Sequence, residues 1–142
     1  MLFSSPNKLP ACVLITSPGE SEGKTTLSVN LAIAMAQLKN TQVLLIDADL
    51  RKPAHRFIHG IQRDGGQTKG LAGFLAGKIE LDDIIHRTNI ANLSVIPRGR
   101  RPSNPSELLH SNQMSLLLNR CREEGYHVIL DAPPVLPVTD PV

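Results

Sequence analysis

Gly23, Lys24 and Thr25 stand together in "SPGESEGKTT" (17–26), and three aspartates follow apolar runs later in the chain. Asp47 and Asp49 lie in "LLIDADLRKP" (44–53), and Asp131 lies in "VILDAPP" (128–134). The first stretch suits phosphate. It follows an apolar run and opens a helical pattern, so backbone N–H groups of the turn and helix start can point at phosphate oxygens, where the helix dipole also favours negative charge. Lys24 would reach the β- and γ-phosphates as a mobile point charge, and Thr25 would offer its hydroxyl to Mg²⁺. The usual nucleotide loop reads GxxxxGK[ST], but Pro18 holds the place of its first glycine. Proline removes one N–H donor and fixes φ. Gly19 can still provide the tight turn, and Gly23 lets the backbone approach the ligand closely. The candidate cradle is Ser17, Pro18, Gly19, Glu20, Ser21, Glu22, Gly23, Lys24, Thr25 and Thr26. Glu20 and Glu22 are unfavourable beside a triphosphate unless they meet cations or point outward, and they are expected to face solvent.

Magnesium is usually held by one or two carboxylates, with waters and phosphates completing the octahedron. Asp47 ends a strand pattern and Asp49 follows in the turn; either could act on the ion directly or through water, or accept a hydroxyl proton. Asp131 also follows an apolar strand pattern, which fits a carboxylate that holds Mg²⁺ through water. Pro133 and Pro134 then prevent ordinary strand continuation. Together these segments bring one lysine and three carboxylates to one sheet edge, a combination that points to a Mg-nucleotide.

The elements that must position them alternate along the chain. "ACVLIT" (11–16), "QVLLID" (42–47), "LSVIP" (93–97) and "HVILD" (127–131) are short apolar runs, the pattern of strands covered on both faces. Leu27, Leu31, Met35 and Leu38 recur at helical spacing, predicting an amphipathic helix over 24–38. "GLAGFLAG" (70–77) and "LDDIIHR" (81–87) read as two short helices, and 61–70 reads as a loop. A further helix opens at "SNPSELL", with Asn104 as N-cap, Pro105 at the first position and Glu107 as the capping-box carboxylate. Leu108, Leu109, Leu116 and Leu117 would supply its buried face. The expected fold is α/β, a P-loop NTPase-like, mostly parallel sheet with helices on both faces, spanning 11–142 after an N-terminal extension of 1–10. Ligands in such sheets sit at the carboxyl ends of the strands.

Size and composition narrow the field. A chain of 142 residues suits one domain, and a net charge of +2 says little about partners. Three Phe, one Tyr and no Trp leave little to stack on exposed bases, which argues against nucleic acid. Cys12 and Cys121 have no metal-like or CxxC spacing and are expected to be buried free thiols. No apolar run reaches the ~18 residues of a membrane span, and the start lacks the pattern of a signal peptide. The chain reads as cytosolic. His55 and His59 share a helical spacing but have no third ligand nearby, so a metal site there is not expected. Arg51, Lys52, Arg98, Arg100 and Arg101 read as solvated loop cations. The sharper alternative is a subunit contact near a neighbour's phosphates, with Arg51 as the residue to test.

These motifs, in this order, resemble the cytosolic catalytic domain of bacterial tyrosine kinases, the ATPase partners of exopolysaccharide and capsule assembly. "SPGESEGKTT" is similar to that family's Walker A loop, "LLIDADLRKP" to its Walker A′ motif and "VILDAPPVLPVTD" to its Walker B segment. "GLAGFLAG" and "IPRGRRPSNPSELL" also look like stretches between A′ and B. The resemblance covers about residues 11–140. It implies that Walker A binds the phosphates of ATP, that the A′ and B aspartates manage Mg²⁺, and that the phosphoryl group goes to tyrosines in the C-terminal tail of a neighbouring subunit. It also implies a homo-oligomer, a membrane adaptor or polysaccharide co-polymerase domain, fused or separate, and a place at the inner face of the plasma membrane. Partitioning and septum-site ATPases share the wider fold, but their loop carries an early signature lysine where Gly19 stands here. The family's tyrosine-rich tail, its later strands and helices and its arginine-containing assembly helix have no counterpart in this sequence. A fragment is therefore expected, with "ACVLIT" as an edge strand. The sole tyrosine, Tyr126, is expected to be structural.

Overall fold

The computed structural model describes residues 11–15, 22–50, 69–100 and 102–132, with backbone alone for 22–26. In chain order these form β1 (Cys12–Ile15), α1 (Glu22–Ala36), β2 (Gln42–Asp47), α2 (Leu71–Leu75), a 3₁₀ turn (Leu81–Asp83), β3 (His86–Arg87), β4 (Leu93–Ile96), α3 (Pro105–Leu109), α4 (Asn112–Glu123) and β5 (Tyr126–Asp131). The strands make one five-stranded sheet in the order β1-β5-β2-β4-β3. All pairings are parallel except β3 with β4. The expected mostly parallel sheet is thus present, with helices on both faces.

Successive strand residues point to opposite faces, and the two faces bury separate clusters. On one face Val13, Ile15, Val43, Leu45, Val95 and Ile129 pack under Val29, Ala32, Met35 and Ala36 of α1. On the other, Leu44, Ile46, Ile96, Val128 and Leu130 pack against Leu71 and Phe74 of α2, Leu108 of α3, and Leu117 and Cys121 of α4. Because β2 lies in the middle, Val43 through Ile46 are fully buried. That explains why its sequence reads as a continuous apolar run and not as an alternation.

Several expectations fail in detail. The buried stripe of α1 is Val29, Ala32, Met35 and Ala36, while Leu27 and Leu38 are exposed. Small Ala32 and Ala36 face the sheet, and the leucines that carried the periodic pattern do not all share that face. "LDDIIHR" is not a helix: after the 3₁₀ turn the chain extends, His86 pairs with Val95, and its Nε2 hydrogen-bonds Lys69 O at 2.8 Å. Two adjacent β-branched residues, Ile84 and Ile85, lead into that extended segment.

The helix expected from Asn104 is two. Asn104 makes no side-chain capping bond, the chain turns at His110, and α4 starts anew after Ser111, whose hydroxyl donates to Leu108 O at 2.7 Å. That break resets the helical phase, so Leu117 is buried and Leu116 is exposed. Cys12 is exposed, not buried, because β1 is an edge strand bonded only to β5 among the described residues, and its Cys12–Leu14 face lies open. Tyr126 begins β5, half-buried against the core. No described helix is long and apolar enough to cross a membrane.

Candidate functional site

The carboxyl ends of three parallel strands line up. Ile15 of β1 is the Cα partner of Asp131 of β5, and Asp131 is the partner of Asp47 of β2. Backbone bonds continue past the strand ends: Ala132 N–H donates to Ile15 O at 3.0 Å and Ala48 N–H to Asp131 O at 2.9 Å. The row is therefore stitched across its whole width.

The face matters as much as the edge. Ile15, Leu45 and Ile129 belong to the cluster beneath α1, so the two-residue period carries Asp47 and Asp131 onto the α1 side. Residues 16–21 join β1 to α1, which starts at Glu22. The backbone of Gly23, Lys24, Thr25 and Thr26 thus lies in the first turn of the helix that covers the face bearing both aspartates. Strand, connection and helix occur in the order that a phosphate loop requires.

Asp47, Asp49 and Asp131 are all buried. The Asp49 N–H donates to Asp47 Oδ1 at 3.3 Å. Burial, reinforced by the Asp131 carboxylate, pushes the Asp47 carboxyl up to about 7; the Asp49 amide and the Arg98 charge oppose that rise. Two like-charged groups held side by side away from water are unfavourable without a cation. Among the described residues no three His, Cys, Asp or Glu side chains form a group able to hold a metal. The buried carboxylate pair fits Mg²⁺, which takes one or two carboxylates and fills its shell with waters and phosphate oxygens.

Arg98 departs from its reading as a solvated loop cation. It follows β4 by two residues, as Asp49 follows β2, and its Nε and Nη1 atoms are buried. Grouping it with Arg100, which is exposed, obscured that position; its offset from the strand end was the available signal. Ser17, Pro18, Gly19, Glu20, Ser21, Arg51, Lys52, His55, His59, Arg101, Pro133 and Pro134 lie outside the described residues, as do the segments 1–10 and 61–68. A cleft of about 570 Å³ between α2 and residues 102–104, lined by Lys78, Ile79, Arg100 and Asn104, lacks all three aspartates.

Residues 19–140 match the AAA-domain family (AAA_31). Tyrosine-protein kinase ptk of Acinetobacter johnsonii is 44% identical over 139 residues, which are 98% of this chain and 18% of that protein. Tyrosine-protein kinase CpsD of Streptococcus agalactiae is 38% identical over 126 residues, 89% of this chain and 53% of that protein. The chain therefore spans at most about half the length of these two relatives. The kinase domain of the Escherichia coli tyrosine kinase ETK superposes with a TM-score of 0.79 at 38% identity, covering 91% of this chain and 49% of that one. A ParA family ATPase from Chlorobium tepidum reaches a TM-score of 0.67 at 16% identity, covering 89% of this chain and 52% of that one, a likeness of fold alone. The sheet, its aspartate row and these likenesses agree: the chain belongs to the AAA-domain family and, within it, is similar to the bacterial tyrosine-protein kinases.

Proposed function

We propose that this chain, over 11–142, is the Mg-ATP-binding core of an autophosphorylating protein-tyrosine kinase that regulates capsule or exopolysaccharide synthesis and chain length. The observation that carries this reading is the buried Asp47–Asp131 pair on the α1 face, beside the helix that opens with Gly23-Lys24-Thr25. A bound Mg²⁺ would supply charge neutralisation for the phosphates and the carboxylates. Thr25 and Asp131 would hold the ion, Lys24 would bind the β- and γ-phosphate oxygens, and Asp47 or Asp49 would position the ion or take the tyrosine proton. Such a site works by positioning and preorganised charge.

The acceptor would be a tyrosine other than Tyr126. Tyr126, the sole tyrosine, lies half-buried at the start of β5, at the opposite end of that strand from Asp131. Transfer would go to the tyrosine tail of a neighbouring subunit, in a homo-oligomer that a fused or separate adaptor holds at the inner face of the plasma membrane. Arg51 would contact the neighbour's phosphates there. A second reading, a nucleotide-binding interaction module without turnover of its own, fits the position of Tyr126 equally.

Calorimetric titration with ATP and ADP, with and without Mg²⁺, beside Lys24→Met, tests the core claim. Mg-dependent binding that the substitution abolishes is the expected result; no binding by the folded chain overturns it. Tyrosine phosphate on a supplied adaptor or tail peptide separates the kinase from the interaction module.

A further inference from the structure

The backbone that carries Arg98 is gripped by α2. Leu71 N–H donates to Pro97 O at 2.8 Å, and Ala72 N–H donates to Arg98 O at 3.0 Å. Gly70 packs so closely that a Cβ there would lie within 2.5 Å of Gly99 N. The side chain on this fixed support is unusual. Its Nε and Nη1 atoms are buried and, among the described residues, have no hydrogen-bond partner.

A guanidinium stays charged at every working pH. Buried donors of a charged group that lack acceptors carry their desolvation cost uncompensated, so each such group calls for an explanation. Position supplies one. Along the carboxyl edge the sheet order places the end of β1, then Asp131, then Asp47, then the segment after β4 that bears Arg98. The Arg98 charge bears on the Asp47 carboxyl without a hydrogen bond between them among the described residues. The aspartate row thus lies on the face that α1 covers, and next along the edge comes a cation whose Nε and Nη1 donors have no partner among the described residues.

We infer that Arg98 binds anionic phosphate oxygen at the β4 end of the aspartate row, through the Nε and Nη1 donors that have no partner among the described residues. The inference deepens the Mg-nucleotide reading and rests on it. Phosphate oxygen matches the paired donors of a guanidinium, and charge-assisted bonds of this kind are the strong ones. The oxygen belongs either to the terminal phosphate of a nucleoside triphosphate or to a separate phosphate beside a diphosphate.

The test is calorimetry on the full chain with Mg²⁺ and, in turn, a non-hydrolysable ATP analogue, ADP, and ADP with inorganic phosphate. It compares wild type, Arg98→Met and Arg98→Lys. Arg98→Met should weaken the triphosphate about tenfold or more while leaving ADP within about twofold, and lysine should restore part of the difference. Loss confined to phosphate added on top of ADP identifies the separate phosphate as the source. Thermal melting without ligand distinguishes a structural role: removing unmatched buried donors should leave the Arg98→Met melting temperature equal or higher. A lowered melting temperature with both nucleotides weakened alike overturns the inference, as does an unchanged preference for triphosphate over ADP with no response to added phosphate. Should Arg98→Met not fold, the same comparison on Arg98→Lys decides. A wild-type chain that binds neither nucleotide refutes the nucleotide reading, and this inference with it; wild-type ADP binding with unaltered preferences in the variants refutes the role of Arg98 alone.

Discussion

Asp47 and Asp131 are Cα partners at the last positions of two adjacent parallel strands, and the bond from Ala48 N–H to Asp131 O holds them in that register. Both are buried, at 6% and 2% exposure, so neither charge is well screened by water. A ligand-free fold keeps such a pair at a cost that a bound cation would remove. Asp47→Asn should therefore raise the ligand-free stability by about 1–2 kcal/mol while abolishing Mg-dependent nucleotide binding. The side-chain amide oxygen that this substitution introduces can still accept the Asp49 N–H. Urea unfolding and calorimetry on the same samples check both halves, and a destabilised Asp47→Asn protein would show that the pair is not strained.

A pH dependence follows from the same pair. Burial, with Asp131 and Asp49 adding and the Asp49 amide and Arg98 opposing, lifts the Asp47 carboxyl from its ordinary 3.8 to about 7. Between those values the folded chain holds a proton that the unfolded chain has released. Stability from this group is thus fully present below about pH 4 and is lost as pH rises through about 7. The difference in urea midpoint between wild type and Asp47→Asn, followed from about pH 5 to about pH 8, isolates this contribution from that of other carboxylates. Wild type should lose stability relative to the variant across that range, and saturating Mg²⁺ with nucleotide should remove the trend.

The strand ends were the most legible part of the sequence, because β2 and β5 are buried on both faces and their apolar runs stop at the aspartates. What the runs could not tell was which face each residue takes; the packing of α1 against odd-numbered β2 residues decided that Asp47 lies on the α1 side. The buried character of Arg98 was illegible for a related reason. Its backbone is held by Gly70 and α2, nearly thirty residues away, and no local pattern encodes that contact. "LDDIIHR" misled because a seven-residue apolar-polar mixture fits either period, and pairing with β4 chose the strand.

Gly70 and Gly77 separate crowding from backbone strain. A Cβ on Gly70 would meet Pro97 O and Gly99 N, backbone atoms of a segment that α2 already holds through Pro97 O and Arg98 O. Gly70→Ala should cost about 1–3 kcal/mol or more. Gly77 has φ +78 and nothing within 4 Å of an added Cβ, so Gly77→Ala should cost only about 1–2 kcal/mol, from the left-handed conformation. If Arg98 holds phosphate, Gly70→Ala should also weaken the triphosphate more than ADP, whereas Gly77→Ala should weaken neither. Thermal melts and titrations of the two variants read both differences.

The cysteines should differ in chemistry despite lying on the same side of the sheet. Burial, with Glu124 adding, pushes the Cys121 thiol up to about 11. Little thiolate exists there at about pH 8, and the side chain is enclosed under α4. Cys12 is exposed on the edge strand. Iodoacetamide followed by mass spectrometry should therefore mark Cys12 first in the native protein and Cys121 only after denaturant is added. Equal labelling of both in the native state would mean that α4 does not stay packed on the sheet.

Leu116 and Leu117 are adjacent in α4 and opposite in fate: one is 52% exposed and the other 0%. The helix restarts after Ser111, which places Leu117 and Cys121, one turn apart, against Val128 and Leu130 of the sheet. Leu117→Ala removes a fully enclosed side chain from a close-packed layer and should cost about 2–5 kcal/mol. Leu116→Ala should change stability by no more than about 0.5 kcal/mol. A continuous helix from Asn104, with both leucines on its buried face, would make the two substitutions comparable. Urea unfolding of the pair therefore measures the break at His110–Ser111 as directly as it measures the core: similar losses for the two variants would restore the single helix, and a large gap confirms the two.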